Sequence, residues 1–174
     1  MNNFFLLFSA LLGGVTGCMS PPTSDIPVVE NFDIAKYSGK WYEIARMPHR
    51  FERDMNFVYA LYTPLEKNKI KVQNFGVREH SAKQINGIAI FAPESKNGLL
   101  KVSFFRPFYA DYRIIYLNDD YTLAIVCGST RNYLWILSRT PEISQEQMNF
   151  CRQKLIDWKF EVNLLEYPTQ LSPD

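Results

Sequence analysis

Short β-type segments separated by turn residues run through most of this 174-residue chain. They follow one another from Trp41 to Ser138, with a turn signal roughly every ten residues. Segments of this length and spacing favour an antiparallel meander, and about eight such strands can close into a barrel that holds one small ligand. We predict strands at residues 41–47, 57–63, 69–75, 84–91, 99–105, 112–117, 121–127 and 132–138.

The composition supports a single domain with its own core. Hydrophobic residues make up 47% of the chain and aromatic residues 15%, which is enough apolar side chain to bury a core. Lys and Arg number 19 against 18 Asp and Glu, so that the net charge is +1, and no long run of one sign occurs. Charge therefore gives no indication of binding to nucleic acid or to a membrane surface.

The N-terminal residues have the pattern of a bacterial lipoprotein signal. Residues 4–15 are apolar and uncharged, too short for a membrane span but of the right length for a signal-peptide core. The next residues, Val15-Thr16-Gly17-Cys18, resemble a lipobox, in which the Cys is acylated and becomes the new N-terminus. We predict a signal peptide at residues 1–17 and a lipid anchor on Cys18. Delivery to the bacterial outer membrane is expected because Met19, and not an Asp, follows. The alternative is that Cys18 is an ordinary free thiol.

Two segments flank the expected domain. Residues 18–29 are rich in Pro and Ser and predict a flexible tether that does not pack. The domain itself is expected at residues 30–168, with a short edge strand at 160–167. Residues 169–174 are expected to trail off as a tail.

A helix is predicted at residues 144–158, after the last strand. Ser144 and Gln147 have the spacing of a capping box, which marks a helix start. Apolar residues then recur every three or four positions and form one face, which predicts that the helix lies against the outside of the barrel. They are Met148, Cys151, Leu155 and Trp158.

The segment Gly39-Lys40-Trp41-Tyr42 follows a short helical turn that Asn31 or Asp33 can cap. Glycine permits a sharp bend there, and Arg139, at the end of the last strand, can stack its guanidinium on the Trp41 indole. This order of features resembles the lipocalin family, and the wording around it looks most like bacterial outer-membrane lipoprotein lipocalins and apolipoprotein D. The residues that fall on the family's motif regions are Gly39, Trp41, Asp120, Tyr121 and Arg139.

The resemblance implies an all-β fold, an eight-stranded antiparallel up-and-down lipocalin barrel with a C-terminal α-helix packed outside. It also implies a ligand-binding calyx, with residues 48–56 as a lid over the mouth and 76–83 as a second long connection. The calyx side chains that it implies have consistent strand parity. They are Tyr62, Val72, Asn74, Leu100, Val102, Phe104 and Trp135.

A lumen of this kind suits a fatty acid or a lysophospholipid, held for lipid storage, scavenging or transport. Polar groups near the mouth, among them Arg50, Arg53 and Tyr109, are candidates to orient the head group. No cofactor is implied, and a homodimer is left open. A filled barrel that acts as a structural or protein-interaction module is the alternative, since parity does not separate a filled core from a calyx.

Glu43 shares the strand parity of Trp41, which turns its carboxyl group toward the lumen. A carboxylate inside an apolar barrel needs a partner, and we predict Arg113 or Arg106. Two hypotheses remain open. The pair either meets a ligand head group or is a satisfied structural ion pair near the end of the barrel.

Catalytic and metal-binding patterns are weak in this chain. It has two His residues, His49 and His80, both in predicted loops, and it lacks a Ser/His/Asp set, a Cys/His cluster or a phosphate-binding Gly loop. We therefore expect no enzyme and no metal site; a lipid-modifying enzyme acting through His49 or Glu43 is the least favoured alternative. His49 is expected to be solvated, with a ligand role as the alternative. Cys127 and Cys151 are expected to be free thiols and not a disulfide.

Overall fold

The structure is a computed structural model that describes residues 20–50, 52–92 and 97–170. The predicted signal peptide and Cys18 lie outside the described residues. The helices are α1 (Ile34–Tyr37) and α2 (Gln145–Asp157), and a short 3-10 turn spans Val162–Leu164. The strands are β1 (Gly39–Arg46), β2 (Asn56–Leu65), β3 (Lys69–Arg78), β4 (Ser81–Phe91), β5 (Leu99–Phe105), β6 (Phe108–Leu117), β7 (Leu123–Cys127) and β8 (Leu134–Ser138).

The strands form one closed barrel in which each pairs antiparallel with the next, and β8 pairs with β1. The predicted eight-stranded up-and-down barrel is therefore confirmed. Because successive strands run in opposite directions, the connections β1–β2, β3–β4, β5–β6 and β7–β8 all lie at one end, which we call the open end. The helix α1 and the remaining connections lie at the other, the closed end. Tyr37 and Trp41 fill the interior there, both with fully buried side chains.

The connection between β3 and β4 differs from the prediction. Instead of a long loop over residues 76–83, the two strands continue as a hairpin with Arg78 opposite Ser81. The turn is only Glu79 and His80, whose φ angles of 47° and 61° lie in the left-handed region. Residues 79–86 are all exposed, so both faces of the hairpin carry side chains that contact water. The alternation of apolar and polar residues that marks a half-buried strand is therefore missing.

Helix α2 packs against the outside of the barrel, as predicted. Its capping box is present, with Gln147 N–H donating to the Ser144 hydroxyl and Ser144 N–H donating to the Gln147 side chain. Cys151 and Leu155 are fully buried against outward-facing side chains of β7 and β8. Cys151 and Cys127 are both free and buried, in agreement with the prediction of two free thiols. The edge strand expected at 160–167 is wrong, since that segment forms the 3-10 turn and a single bridge between Glu166 and Arg46.

The segment expected to be an unpacked tether lies along the outer wall of the barrel. We call residues 21–29 the N-terminal strap. Thr23 is fully buried and Ile26 is 2% exposed. The Thr23 hydroxyl donates to Gly128 O at 2.6 Å, and Val29 N–H donates to Ile114 O at 2.9 Å. The flexible-tether prediction is therefore wrong for the strap. The side chains of Thr23 and Ile26 are buried against the barrel, and the strap donates hydrogen bonds to backbone carbonyls of the barrel.

The expected C-terminal tail also docks, at least as far as residue 170. Pairing between β1 and β2 ends at Tyr42 and Tyr59, so the two strands separate toward the open end. The side-chain amide of Gln170 fills this gap and donates to Glu43 O at 2.7 Å and to Val58 O at 3.0 Å. The wall of the barrel is therefore completed by the end of the described chain.

Candidate functional site

A cavity opens inside the barrel at the open end. It encloses about 730 Å³ of empty space, including the solvent at its mouth. Leu100 is 1% exposed in the inner core and is not among the lining residues. Six of the seven predicted calyx residues line the cavity: Tyr62, Val72, Asn74, Val102, Phe104 and Trp135.

Sequence reasoning missed several lining residues. Val58 and Ala60 have the same strand parity as Tyr62 in β2, and Leu137 has the parity of Trp135 in β8. The alternation of inward and outward side chains along these two strands is therefore enough to predict all three. Tyr112 lies opposite Leu100 in the register of β5 with β6. Glu52 also lines the cavity but comes from the β1–β2 connection, where no periodicity predicts a direction.

Three tyrosine hydroxyls form a chain inside the barrel. Tyr112 OH lies 2.7 Å from Tyr37 OH and 2.8 Å from Tyr62 OH. Burial is the main cause that raises the pKa of all three phenols, so that each remains neutral and free to donate or accept. Tyr62 and Tyr112 line the cavity, whereas Tyr37 is completely buried. The chain of hydroxyls gives the cavity a polar inner end.

Trp41 and Arg139 close the opposite end of the barrel. The Arg139 guanidinium lies 4.0 Å from the centre of the Trp41 ring, as the sequence predicts. It also donates to the backbone carbonyls of Tyr121, Lys40 and Lys36 at 3.1, 2.8 and 2.7 Å.

Two other motif residues lie at this end. Gly39 has a φ of +97°, and a side chain there would meet the Arg139 guanidinium at 3.3 Å. Asp120 is exposed in the turn before β7. The motif around Trp41 thus seals the closed end and does not contact the cavity.

Glu43 faces the cavity, and a bulge in β1 brings its partner to the same side. The register of β1 with β8 shifts between Glu43 and Ala45, and this shift brings Arg46 to the same side as Glu43. The Arg46 guanidinium donates to Glu43 Oε1 at 2.8 Å, with both side chains less than 5% exposed. It also donates to Glu166 Oε2 at 3.0 Å.

The prediction that Arg113 or Arg106 pairs with Glu43 is therefore wrong. Arg113 donates to Ile26 O at 2.8 Å, on the strap side of the wall. Arg106 lies exposed in the β5–β6 connection, and Tyr109 just beyond it is 42% exposed. Strand parity puts Arg46 on the face opposite Glu43, and the bulge reverses the face of the residues after it.

The β1–β2 connection is fastened to the wall by Glu52. Its Oε2 accepts a hydrogen bond from Trp135 Nε1 at 3.0 Å and lies 2.9 Å from His49 Nε2. The His49 side chain is 7% exposed, and its ring lies 5.4 Å from the Trp135 ring between centroids. The prediction that His49 is solvated is therefore wrong, because the loop folds inward over Trp135. We call residues 47–50 and 52–55 the lid.

The carboxyl groups of Glu43 and Glu52 interact and differ in protonation. Burial, followed by the charge of Glu52 and a hydrogen bond between the two carboxyls, raises the pKa of Glu43 well above its usual range, and Arg46 offsets only part of this. Burial also acts to raise the pKa of Glu52, but the hydrogen bonds from His49 and Trp135 and the charge of Arg46 outweigh it and lower that pKa. These directions favour the proton on Glu43 and the negative charge on Glu52.

One polar atom of the cavity wall has no partner within the part of the chain that the structure describes. The side-chain carbonyl oxygen of Asn74 is buried and accepts no hydrogen bond there. A buried acceptor without a donor is costly, and a ligand hydroxyl or amide can supply one.

Comparison with known proteins identifies the family. A family model described as a lipocalin-like domain matches residues 32–170. The chain belongs to the lipocalin family. This lipocalin is 43% identical over 159 residues to "Outer membrane lipoprotein Blc" of Citrobacter freundii, with 90% of each chain covered. It is 34% identical over 143 residues to "Apolipoprotein D" of Rattus norvegicus, covering 78% of this chain and 72% of that one.

Among solved structures, this lipocalin matches insecticyanin of the tobacco hornworm Manduca sexta with a TM-score of 0.68, 22% identity and 85% of each chain covered. That match supports the fold alone. The outer-membrane lipoprotein relatives confirm the predicted bacterial outer-membrane localisation. Within residues 20–50, 52–92 and 97–170, no helix is long and apolar enough to cross a membrane. The same residues contain no group of three or more His, Cys, Asp or Glu placed to hold a metal ion.

Proposed function

We propose that this lipocalin binds a single-chain lipid in its cavity and is anchored to the outer membrane through an acylated Cys18. The observation that carries the proposal is the cavity itself, which is lined mainly by apolar side chains, opens at one end and is sealed at the other by Trp41 and Arg139. Burial of an acyl chain there supplies affinity at about 25 cal/mol per Å² of apolar surface. Storage, scavenging or transport of lipids in envelope maintenance follows from such binding.

The charges of the cavity wall favour a lysophospholipid over a free fatty acid. The charged lining residues are all acidic: Glu43, Glu52 and Asp111. Asp111 is paired with Lys101 and Glu43 with Arg46, which leaves the Glu52 carboxylate as the anion that faces the cavity. A fatty-acid carboxylate entering this wall meets a like charge, whereas the neutral ester of a lysophospholipid does not and can accept a hydrogen bond from the Glu43 carboxyl.

A competition titration tests the proposal. The mature chain with Cys18→Ser is titrated with a fluorescent fatty acid, which is then displaced by lysophospholipids and by unlabelled fatty acids. Saturable binding with a Kd near or below micromolar, about 8 kcal/mol, is expected, with lysophospholipid the better competitor at pH 7. The advantage should shrink at pH 5, where the fatty acid begins to protonate.

A cavity-filling variant provides the matched control. Ala60 lines the cavity, and Ala82 is exposed on β4, so Ala60→Trp should abolish binding while Ala82→Trp leaves it intact. Saturable binding that survives Ala60→Trp places the lipid elsewhere. The absence of any binding by delipidated protein supports the alternative of a filled barrel with a protein partner.

A further inference from the structure

The N-terminal strap begins at the open end of the barrel. Arg131 N–H donates to Pro21 O at 3.1 Å, and Pro22 forms a β-bridge with Thr130. Thr23 N–H donates to Ser129 O at 3.0 Å. Residues 128–133 connect β7 to β8, and this connection belongs to the same end as the cavity mouth.

Side-chain contacts fix this start of the strap. Arg131 is 7% exposed and donates to Trp158 O at 2.8 Å and to Asp25 Oδ2 at 2.7 Å. The same guanidinium also donates to Pro22 O. The strap therefore holds its position through the barrel wall and through the end of α2.

Cys18 lies three residues before Pro21 in the sequence. An extended chain spans at most about 3.5 Å per residue, so Cys18 lies within about 11 Å of the β7–β8 connection. A lipid on Cys18 is therefore attached beside the β7–β8 connection.

A second, independent feature marks the same end. The β5–β6 connection carries Phe105 and Phe108, which are 69% and 77% exposed, more than any other large hydrophobic side chain of the described residues. Arg106 lies between them, and Tyr109 follows. Exposed aromatic side chains beside a basic residue are typical of protein surfaces at the membrane interface, where rings enter the head-group region and the cation remains hydrated.

This aromatic tip, defined as residues 105–109, projects beyond the adjacent end of β7. Arg113 of β6 is opposite Cys127, the last residue of β7. Phe108 lies five residues farther along β6, which is about 16 Å in an extended strand. The aromatic tip is thus the outermost part of the open end on the side of β7 and β8, whereas on the other side the β3–β4 hairpin extends farther, since Ser81 lies seven residues beyond Ile88, the residue opposite Ser103.

We infer that the open end of the barrel faces the bilayer in which Cys18 is anchored, with the aromatic tip at the lipid head groups. The inference rests on the proposed acylation of Cys18. It replaces the expectation of a tether that holds the domain away from the membrane, and it assigns a partner, a phospholipid surface, to the two exposed phenylalanines. A lipid leaving the bilayer then enters the cavity mouth directly.

The test uses the full chain, acylated and reconstituted into vesicles of phosphatidylethanolamine and phosphatidylglycerol. An environment-sensitive fluorophore is attached through Arg106→Cys at the aromatic tip, or through Lys67→Cys in the β2–β3 turn at the closed end. Cys127 and Cys151 are buried and do not compete for the label. Quenching by lipids that carry a nitroxide on the head group should be several-fold stronger at position 106 than at position 67.

A further variant separates the contribution of the aromatic tip from that of the lipid anchor on Cys18. With Phe105→Ser and Phe108→Ser added, quenching at position 106 should fall, while position 67 stays at its low level. Equal quenching at the two positions, or stronger quenching at 67, overturns the orientation. Mass spectrometry of the N-terminus is run on the same sample: a Cys18 without acyl chains overturns both the anchor and the orientation, whereas the lipid titration of the cavity is unaffected by either result.

Discussion

Arg46 and Glu43 lie on the same inner side of β1, 2.8 Å apart, although residues three positions apart in a regular strand point to opposite faces. The bulge after Glu43 makes this possible and places a buried cation beside the one carboxyl group of β1. The cavity wall thereby acquires a charged cluster that does not depend on any ligand.

Replacement of Glu43 by Gln should change how stability depends on pH. Because the pKa of Glu43 is raised in the folded state, the native protein keeps a proton that the unfolded chain loses above about pH 4.5. This stabilisation is fully present below that pH and is lost as the pH rises through the folded pKa. Gln resembles the protonated form, so Glu43→Gln should match the wild type near pH 4.5 and exceed it at pH 8.

Urea unfolding at a series of pH values measures the effect. Val72→Ala, a cavity variant that does not titrate, should shift the free energy of unfolding by the same amount at every pH. A constant offset for Glu43→Gln would show that the carboxyl is ionised in the folded protein.

Trp135→Phe should loosen the lid while keeping the apolar wall. Phe retains a ring against His49 but loses the donor to Glu52, which leaves the carboxylate with one partner fewer. A hydrogen bond to a charged group contributes about 2 kcal/mol. We expect release of a bound fluorescent lipid to quicken by up to about thirtyfold in stopped-flow measurements. Trp158→Phe, on the outer side of the barrel, is the control, and an equal change in both variants would exclude the lid as the cause.

Arg139→Lys should destabilise the closed end of the barrel. Lysine keeps the charge but cannot make three directed hydrogen bonds and stack on Trp41 at once. Loss of two backbone hydrogen bonds predicts a decrease of about 2 kcal/mol in the free energy of unfolding. Denaturant unfolding checks this, with Arg152→Lys on α2 expected to change little. Ligand affinity should remain within about twofold, since Arg139 does not contact the cavity.

The two buried thiols should resist modification in the folded protein. Burial is the main cause that raises the pKa of Cys127 to about 11 and that of Cys151 to about 12. A thiol reagent at pH 8 should therefore react with neither until denaturant is added, and should then react with both. Rapid reaction of the native protein would mean that α2 leaves the barrel wall easily.

The barrel was predictable because its signals are local. Strand β5 begins and ends at the predicted residues, and the stack of Arg139 on Trp41 follows from two positions that a known motif brings together. The capping box of α2 needs only Ser144 and Gln147. The family resemblance implied seven calyx residues with consistent strand parity, and six of them lie in the cavity wall.

The features that were not predicted depend on departures from regular structure. The bulge in β1 changes the face of Arg46, and no sequence pattern specifies a bulge. Glu52 and His49 reach the cavity through an irregular loop, where side-chain direction has no period. The strap was misjudged because its prolines suggested flexibility, whereas the burial of Thr23 and Ile26 depends on a surface formed by distant parts of the chain.

Gln170 bonds to Glu43, 127 positions earlier in the chain, at the place where β1 and β2 separate. Contacts between residues so far apart form slowly, because the intervening chain must first be ordered. One side of the barrel therefore closes only after nearly all of the protein has been synthesised and exported. A chain truncated before residue 170 would keep its eight strands but leave a longitudinal gap beside Glu43, through which water and lipid could leak sideways from the cavity.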